Sequence, residues 1–257
     1  LKRDEGGHVT GATSKADGQP VDYGGVGTMS KSKRNGVDPQ ELIETYGADT
    51  ARFFMMFASP PEQTLEWSDA GVDGSFRFMK RLWTFAEANQ GTIRHGVKLL
   101  ANSALSARLW NEGHAKPKAA RREMHALLKQ ATYDLGRHQL NTVASAAMKM
   151  LNCLERALPD PLPLGSATPP SSDSFVLLKA EGFSFLLRVL SPICPHLTYV
   201  LWQELGYGSN IVTAAWPEPD EAALAQDEIE LVLQVNGKLR GSMRVPKDAA
   251  RDAIEAL

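Results

Sequence analysis

Chemistry in this sequence is concentrated between Gly24 and Pro39, in the run Gly24-Gly25-Val26-Gly27-Thr28-Met29-Ser30-Lys31-Ser32-Lys33-Arg34-Asn35-Gly36-Val37-Asp38-Pro39. Glycines on both sides allow the loop to change backbone conformation at little cost. Between them stand Lys31, Lys33 and Arg34, two serine hydroxyls and unpaired backbone N–H groups. Lysine is a compact charge on a flexible stem, and hydroxyl and amide donors add orientation. Such a set suits a mobile polyphosphate clamp, stabilising negative charge that develops during phosphoryl or nucleotidyl transfer. No GxxxxGK[ST] pattern occurs, so this is not a P-loop. The residues alone favour a plain basic surface loop, with phosphate binding the weaker signal.

A second signal is charge distribution. The formal net charge is −2, but residues 77–156 hold 14 basic and 5 acidic side chains, while residues 157–230 hold 2 basic and 10 acidic. Arg77, Lys80 and Arg81 fall within about one helical turn, followed by Lys116, Lys118, Arg121, Arg122 and Lys129. Two readings stand: solvated helix faces that neutralise one another, or a face for a nucleic-acid backbone, bound without sequence preference and sensitive to salt.

The elements that must position these groups can be read from caps and period. Residues 1–27 read as short strands and loops, with a strand over Val21-Asp22-Tyr23. Asp38-Pro39-Gln40-Glu41 starts a helix, with Asp38 as N-cap and Pro39 at N1; Leu42, Ile43 and Tyr46 form its buried side and Gly47 ends it. A helix over 48–58 carries Phe53, Phe54, Met55, Met56 and Phe57 into the core, and Pro60-Pro61 stops it. Ser68 or Asp69 caps a longer helix whose stripe is Val72, Phe76, Met79, Trp83 and Ala86. Further amphipathic helices are expected over 97–110, 117–135, 141–158 (capped by Asn141), 173–190 and 195–205, with a Pro/Ser linker over 159–172. The period then changes to two: Glu230–Val235 and Lys238–Val245 are strands flanking an Asn236-Gly237 type I′ turn. Asp248 to Leu257 reads as a helix.

Composition excludes several classes. With 257 residues, 43% hydrophobic and 23% charged, this is ordinary globular material, not a collagen-like or disordered chain. Its densest apolar run, Phe53 to Ala58, is too short to span a bilayer, and the start lacks a secretory signal. Cys153 and Cys194 form no metal-ligand spacing, so no metal site is expected. His196 reads as a hydrogen-bonded structural residue, Cys153 as a buried thiol, and Trp67, Trp83, Trp202 and Trp216 as packing anchors. His114, His125 and His138 read as solvated or phosphate-adjacent. A first residue that is Leu, and a last segment ending inside an apparent helix, suggest a piece of something longer.

Met29-Ser30-Lys31-Ser32-Lys33, with Asn35 after it, closely resembles the KMSKS loop of class I aminoacyl-tRNA synthetases. Asp38-Pro39 and Tyr46-Gly47-Ala48-Asp49-Thr50-Ala51-Arg52-Phe53-Phe54 look like the helix pair that follows it in the members for large aliphatic amino acids. Phe57-Ala58-Ser59-Pro60, Leu65-Glu66-Trp67-Ser68, Gly71 through Trp83, Pro195 through Gly206 and Val232 through Arg240 are similar to the leucyl subfamily in particular. The resemblance runs from about Gly24 to the end. It departs at Thr28, where the family has its first lysine, and in the absence of a His-x-Gly-His motif despite six histidines. No editing insertion is present either.

The resemblance implies a mainly α fold. A helical bundle of the class I synthetase anticodon-binding type would occupy 69–226. Residues 1–68 would form a small β/loop remnant of a catalytic domain, with the KMSKS-like loop and the helices after it, and 227–257 the start of an α+β domain. It implies an enzyme that activates leucine with ATP and Mg²⁺ as substrate complex and transfers it to tRNA(Leu), in the cytoplasm, as a monomer and without a membrane. This fragment alone would be inactive. Met29, Ser30, Lys31, Ser32 and Lys33 would bind ATP, with Lys31 and Lys33 acting on the reacting phosphates; Arg77, Lys80, Arg81, Lys116, Lys118, Arg121 and Arg122 would contact tRNA. A valyl, isoleucyl or methionyl relative, and a non-catalytic tRNA-binding module, are the alternatives.

Overall fold

The computed structural model describes residues 1–14, 16–25, 27–33, 35–157, 173–225, 228–235 and 238–246. The expected linker over 159–172, the Asn236-Gly237 turn and the helix over 248–257 lie outside them. The chain divides into two units, Leu1–Gly47 and Ala48–Leu257.

In the first unit three short antiparallel strands, β1 (Lys2–Arg3), β2 (Val9–Thr13) and β3 (Pro20–Val21), lie in the order β1-β2-β3. Asp4 Oδ1 accepts from the His8 N–H at 2.8 Å and Gly7 supplies the left-handed position (φ 84°), closing the turn between β1 and β2. Helix α1 (Pro39–Tyr46) starts as its sequence demands: Asp38 accepts from the Gln40 N–H at 2.9 Å and proline occupies the first turn. Gly47 ends it at φ 84°, its N–H returning to the Ile43 carbonyl at 2.8 Å. The expected buried side is not buried. Ile43 is exposed, and Leu42 and Tyr46 are only half-covered.

The second unit is helical before its final strand pair. It contains α2 (Ala48–Phe57), α3 (Asp69–Leu100), α4 (Ser103–Glu112), α5 (Ala115–Gly136), α6 (Leu140–Arg156), α7 (Asp173–Leu190), α8 (Pro195–Glu204), a 3-10 turn (Ile211–Thr213) and α9 (Glu221–Leu224). Strands β4 (Glu228–Val235) and β5 (Lys238–Pro246) then pair antiparallel, from Val235 opposite Lys238 out to Glu228 opposite Pro246.

α7 is the centre of the bundle and packs against α3, α5 and α6. Its sequence is apolar nearly all round, as a fully enclosed helix must be, and Leu177, Leu178, Phe183, Leu186, Leu187 and Leu190 are buried. Two glycines set the approach of its neighbours. Gly182 faces Leu154 and Met124, and Gly96 of α3 sits where a Cβ would lie 2.6 Å from the Val176 carbonyl oxygen.

Several local expectations are corrected. α3 is one 32-residue helix running to Leu100, and α4 begins anew because Asn102 caps it, accepting from the Leu105 N–H at 3.0 Å. A single helix over 97–110 therefore does not exist. On α3 the buried face comprises Val72, Ser75, Phe78, Met79, Leu82, Phe85, Ala86 and Ile93, while Trp83 is 43% exposed. The apolar stripe was wide enough to be centred one residue off. Of the five apolar residues on α2 expected in the core, Phe53 and Phe54 are buried; Met55, Met56 and Phe57 face outward, because five consecutive residues cannot share one helix face. α6 starts at Leu140, its N-cap position is Gln139, and Asn141 lies inside the helix with a buried Oδ1 that has no partner. On α6 the buried face comprises Val143, Ala144, Ala146, Ala147, Met150, Leu151, Cys153 and Leu154.

Candidate nucleotide loop and basic bundle faces

The loop carries its own scaffold. The Asn35 side chain spans it, with Oδ1 accepting from the Ser30 N–H at 2.9 Å and Nδ2 donating to the Thr28 carbonyl at 3.3 Å. The Ser30 hydroxyl accepts from the Lys33 N–H at 3.3 Å and lies 3.2 Å from the Ser32 hydroxyl. This small closed turn exposes Met29, Lys31, Ser32 and Lys33, while Ser30 is half-buried. Among the described residues neither lysine has a hydrogen-bond or ion-pair partner, so both ammonium groups are available to an anion. Ser30 and Asn35, read as ligand-side or incidental in sequence, hold the loop's shape.

The basic residues sort by what already engages them. Arg77 and Arg122 have no ion-pair partner among the described residues. Lys80 Nζ rests 4.4 Å from the Phe76 ring centre, an arrangement that leaves its charge facing solvent. Lys116 and Lys118 are exposed, with Lys118 Nζ 2.7 Å from the Asn111 carbonyl. Arg81 forms a forked pair with Glu155 (2.6 and 2.8 Å) and also contacts Asn152. Its side chain is 41% exposed, so the pair is a surface one of small net worth and its donors can be exchanged.

Arg121 is different. Its side chain is 15% exposed and it chelates Glu181 of α7, Nε to Oε2 at 2.7 Å and Nη2 to Oε1 at 2.9 Å. Nη2 also reaches Asp220 at 2.9 Å, and the guanidinium lies 4.6 Å from the Trp110 ring centre. Burial alone would lower its pKa, but Glu181 and Asp220 hold it above the ordinary value. Burial likewise pushes the Glu181 carboxyl up, and His125 and Arg121 outweigh this and hold it below the usual carboxylate range. His125 is buried, against the solvated role expected for it. The Asp220 N–H donates to its Nδ1 at 3.0 Å, so the ring proton is on Nε2, 3.6 Å from Glu181 and just beyond hydrogen-bond length. Lys129 pairs with Glu221 at 3.0 Å and Arg94 lies 3.7 Å from Glu204. The basic and acidic blocks of the sequence thus partly neutralise each other inside the fold.

A second node joins α2 to the start of α8. Asp49, nearly buried, accepts from the Leu197 N–H at 2.6 Å and from His196 Nδ1 at 2.8 Å, giving α8 a cap that its own Cys194 side chain does not. Arg52, one turn on, donates to the Ile193 and Pro192 carbonyls at 2.8 and 3.2 Å. His196 is therefore hydrogen-bonded and structural. Asp49 and Arg52 stood in the sequence as a motif without a role; an acid and a base three apart beside an apolar run was the available signal. Asp49→Ala should cost about 1–3 kcal/mol by leaving the α8 amide uncapped. Denaturant titration measures it, and a loss below about 0.5 kcal/mol would remove this node from the fold's support.

The thiols are not reactive groups. Burial, then Glu123, pushes Cys153 up to about 12. Burial and the charge of Asp49 also push Cys194 far up. Among the described residues no group of three or more His, Cys, Asp or Glu could hold a metal ion, and no helix is long and apolar enough to cross a membrane.

The chain thus holds both a self-braced KMSKS-like loop and an α bundle with basic faces. Residues 117–255 match the family model described as the anticodon-binding domain of tRNA ligase, and residues 18–68 match class I tRNA synthetases (I, L, M and V). The chain belongs to the anticodon-binding family of tRNA ligases. More particularly, it is similar to leucine–tRNA ligases: 52% identical to that of Azoarcus sp. (strain BH72) over 100% of this chain, 55% to that of Leptothrix cholodnii over 98%, and 54% to that of Cupriavidus metallidurans over 100%. The chain spans only 27–28% of the length of these relatives. A LeuRS of Agrobacterium radiobacter K84, solved as a ternary complex with tRNA and LeuAMS, shares the fold at a TM-score of 0.66 and 22% identity, over 89% of this chain and 26% of that one.

Proposed function

We propose that this chain supplies the ATP-phosphate loop and the tRNA-facing bundle of a leucine–tRNA ligase, which activates leucine with ATP and Mg²⁺ and transfers it to tRNA(Leu) in the cytoplasm. The observation that carries the reading is one chain holding both a braced loop, whose two lysines have no partner among the described residues, and a bundle on which Arg77 and Arg122 have no ion-pair partner among them. A pure binding module has no use for the first.

In this reading Lys31 meets the ATP phosphates and stabilises the charge of in-line attack at the α-phosphate and of departing pyrophosphate, with Lys33 beside it. Met29, Ser30 and Ser32 shape the surface ATP meets. Arg77, Lys80 and Arg81 on α3, with Lys116, Lys118 and Arg122 on α5, contact the tRNA backbone. The β4–β5 pair opens a domain that meets the tRNA body. The residues grouped as 1–68, 69–226 and 227–257 divide the work accordingly. Because a His-x-Gly-His motif is absent from the 257 residues, the chain by itself is expected to form no aminoacyl-adenylate.

The test is binding of tRNA(Leu) to this chain at 50 and 200 mM salt. Affinity should fall at least tenfold, and by roughly 10³-fold if all six cations engage phosphates. Affinity unchanged between the two salts would sink the phosphate-contact reading, and ATP–pyrophosphate exchange by the chain alone would sink its division of labour.

A further inference from the structure

We propose that Arg121, Glu181 and His125 form a clamp that fixes the connector Ala214–Leu224 to the bundle and so sets where the β4–β5 pair departs. Arg121 is then a positioning residue and not a phosphate contact. The functional consequence rests on the tRNA reading above; the clamp itself does not.

The connector is held at successive points. Arg188 Nη1 donates to the Ala215 carbonyl at 2.9 Å. The Trp216 indole donates to Thr132 Oγ1 at 2.9 Å, and Pro217 is buried. Asp220 is gripped twice, its N–H by His125 Nδ1 and its carboxylate by Arg121, and its other oxygen caps α9 through the Ala222 N–H at 2.9 Å. Glu221 is tied to Lys129 at 3.0 Å.

Arg121 is the joint of this assembly, because one guanidinium bridges α7 and the connector while lying on the Trp110 ring. The planar fork is what makes that possible; a lysine has charge but no second edge. A phosphate would have to displace carboxylates from two sides of a group that is 15% exposed. Downstream, β4 begins at Glu228, four residues after Leu224, so the strand pair can originate no more than about 14 Å from the clamped end. Holding the connector therefore confines the origin of the β module, and with it any surface that module offers to tRNA.

The experiment compares Arg121→Gln, Arg121→Lys, Asp220→Asn and Arg122→Gln in this same chain. Amide hydrogen exchange across 214–224 decides the clamp. Both Arg121 variants should exchange at least tenfold faster there, with α6 amides unchanged, and Arg122→Gln should not. Asp220→Asn keeps the Arg121–Glu181 pair, so it tests the clamp even if the Arg121 variants fail to fold; it should accelerate exchange at least threefold. Unchanged connector exchange in Asp220→Asn and in any folded Arg121 variant overturns the proposal. The salt slope of tRNA binding decides the second half separately: Arg122→Gln should lower it by about one and Arg121→Gln should not. A fall of about one for Arg121→Gln that Arg121→Lys, which keeps the charge, does not show overturns the exclusion of phosphate. If the chain binds no tRNA at all, the functional reading fails while exchange still rules on the clamp.

Discussion

Replacing Gly96 by alanine should destabilise the bundle by about 2–3 kcal/mol, although alanine is the better helix former. The new Cβ would lie 2.6 Å from the Val176 carbonyl oxygen and 2.6 Å from the Ala180 Cβ. One of these atoms is backbone of a helix enclosed on several sides, so relief requires α3 and α7 to move apart along a buried seam. That separation would loosen Ile93 of α3 and Leu177 of α7, both without exposure. Gly91 of the same helix is exposed and has nothing within 4 Å of its would-be Cβ. Gly91→Ala should therefore stabilise by up to about 1 kcal/mol. Opposite signs from the same substitution five residues apart isolate the close approach from helix propensity. Thermal unfolding reads both: for a chain of this size about 2–3 kcal/mol corresponds to a fall in Tm of roughly 4–10 °C. Stabilisation by Gly96→Ala would mean that the two helices are not in contact there.

Lys31→Ala, in a protein of the relatives' full length that carries this chain, should lower adenylate formation by roughly 10²–10³-fold, the usual loss when one preorganised charge partner of a transition state is removed. Affinity for tRNA should change little, because the lysine belongs to the loop and not to the basic faces of the bundle. Folding should be unaffected: Lys31 is exposed, and the turn around it is braced by Asn35 and Ser30. ATP–pyrophosphate exchange and tRNA binding measured on the same variant separate the two. Should tRNA affinity fall while activation survives, the phosphate role of Lys31 is wrong. Asn35→Ala offers a complementary outcome, since it removes the brace and keeps every cation; a smaller fall in activation is expected.

Helix starts were legible where a cap stood in the sequence: Asp38-Pro39 marked the start of α1 and Ser68 or Asp69 that of α3. What failed was the rotation of broad stripes. Phe53 through Phe57 are all apolar, and only contact with neighbouring helices chooses Phe53 and Phe54 for the interior. Trp83, read as a member of the α3 stripe and a packing anchor, nevertheless faces solvent. The loop's motif was legible through its resemblance to a family loop, but its internal bracing was not, because which side chain of a polar run turns inward depends on backbone geometry. Charge was legible as totals and not as pairs. Arg121 and Arg122 are adjacent and identical, yet one chelates a carboxylate 60 positions away and the other has no ion-pair partner among the described residues. Glu181, an acid flanked by Ala180 and Gly182 in the middle of a largely apolar helix, was the available clue that a buried partner existed.

The Thr28 carbonyl, held by Asn35, alters what it means for this position to differ from lysine. What residue 28 contributes to the turn is a main-chain acceptor, which every amino acid carries. The shape of the loop is thus indifferent to its first letter, and variation there adjusts charge without redrawing geometry. A lysine at 28 would add a third movable cation to the same main-chain frame, so substitution there changes the loop's charge while the Asn35 bond to the residue 28 carbonyl is kept.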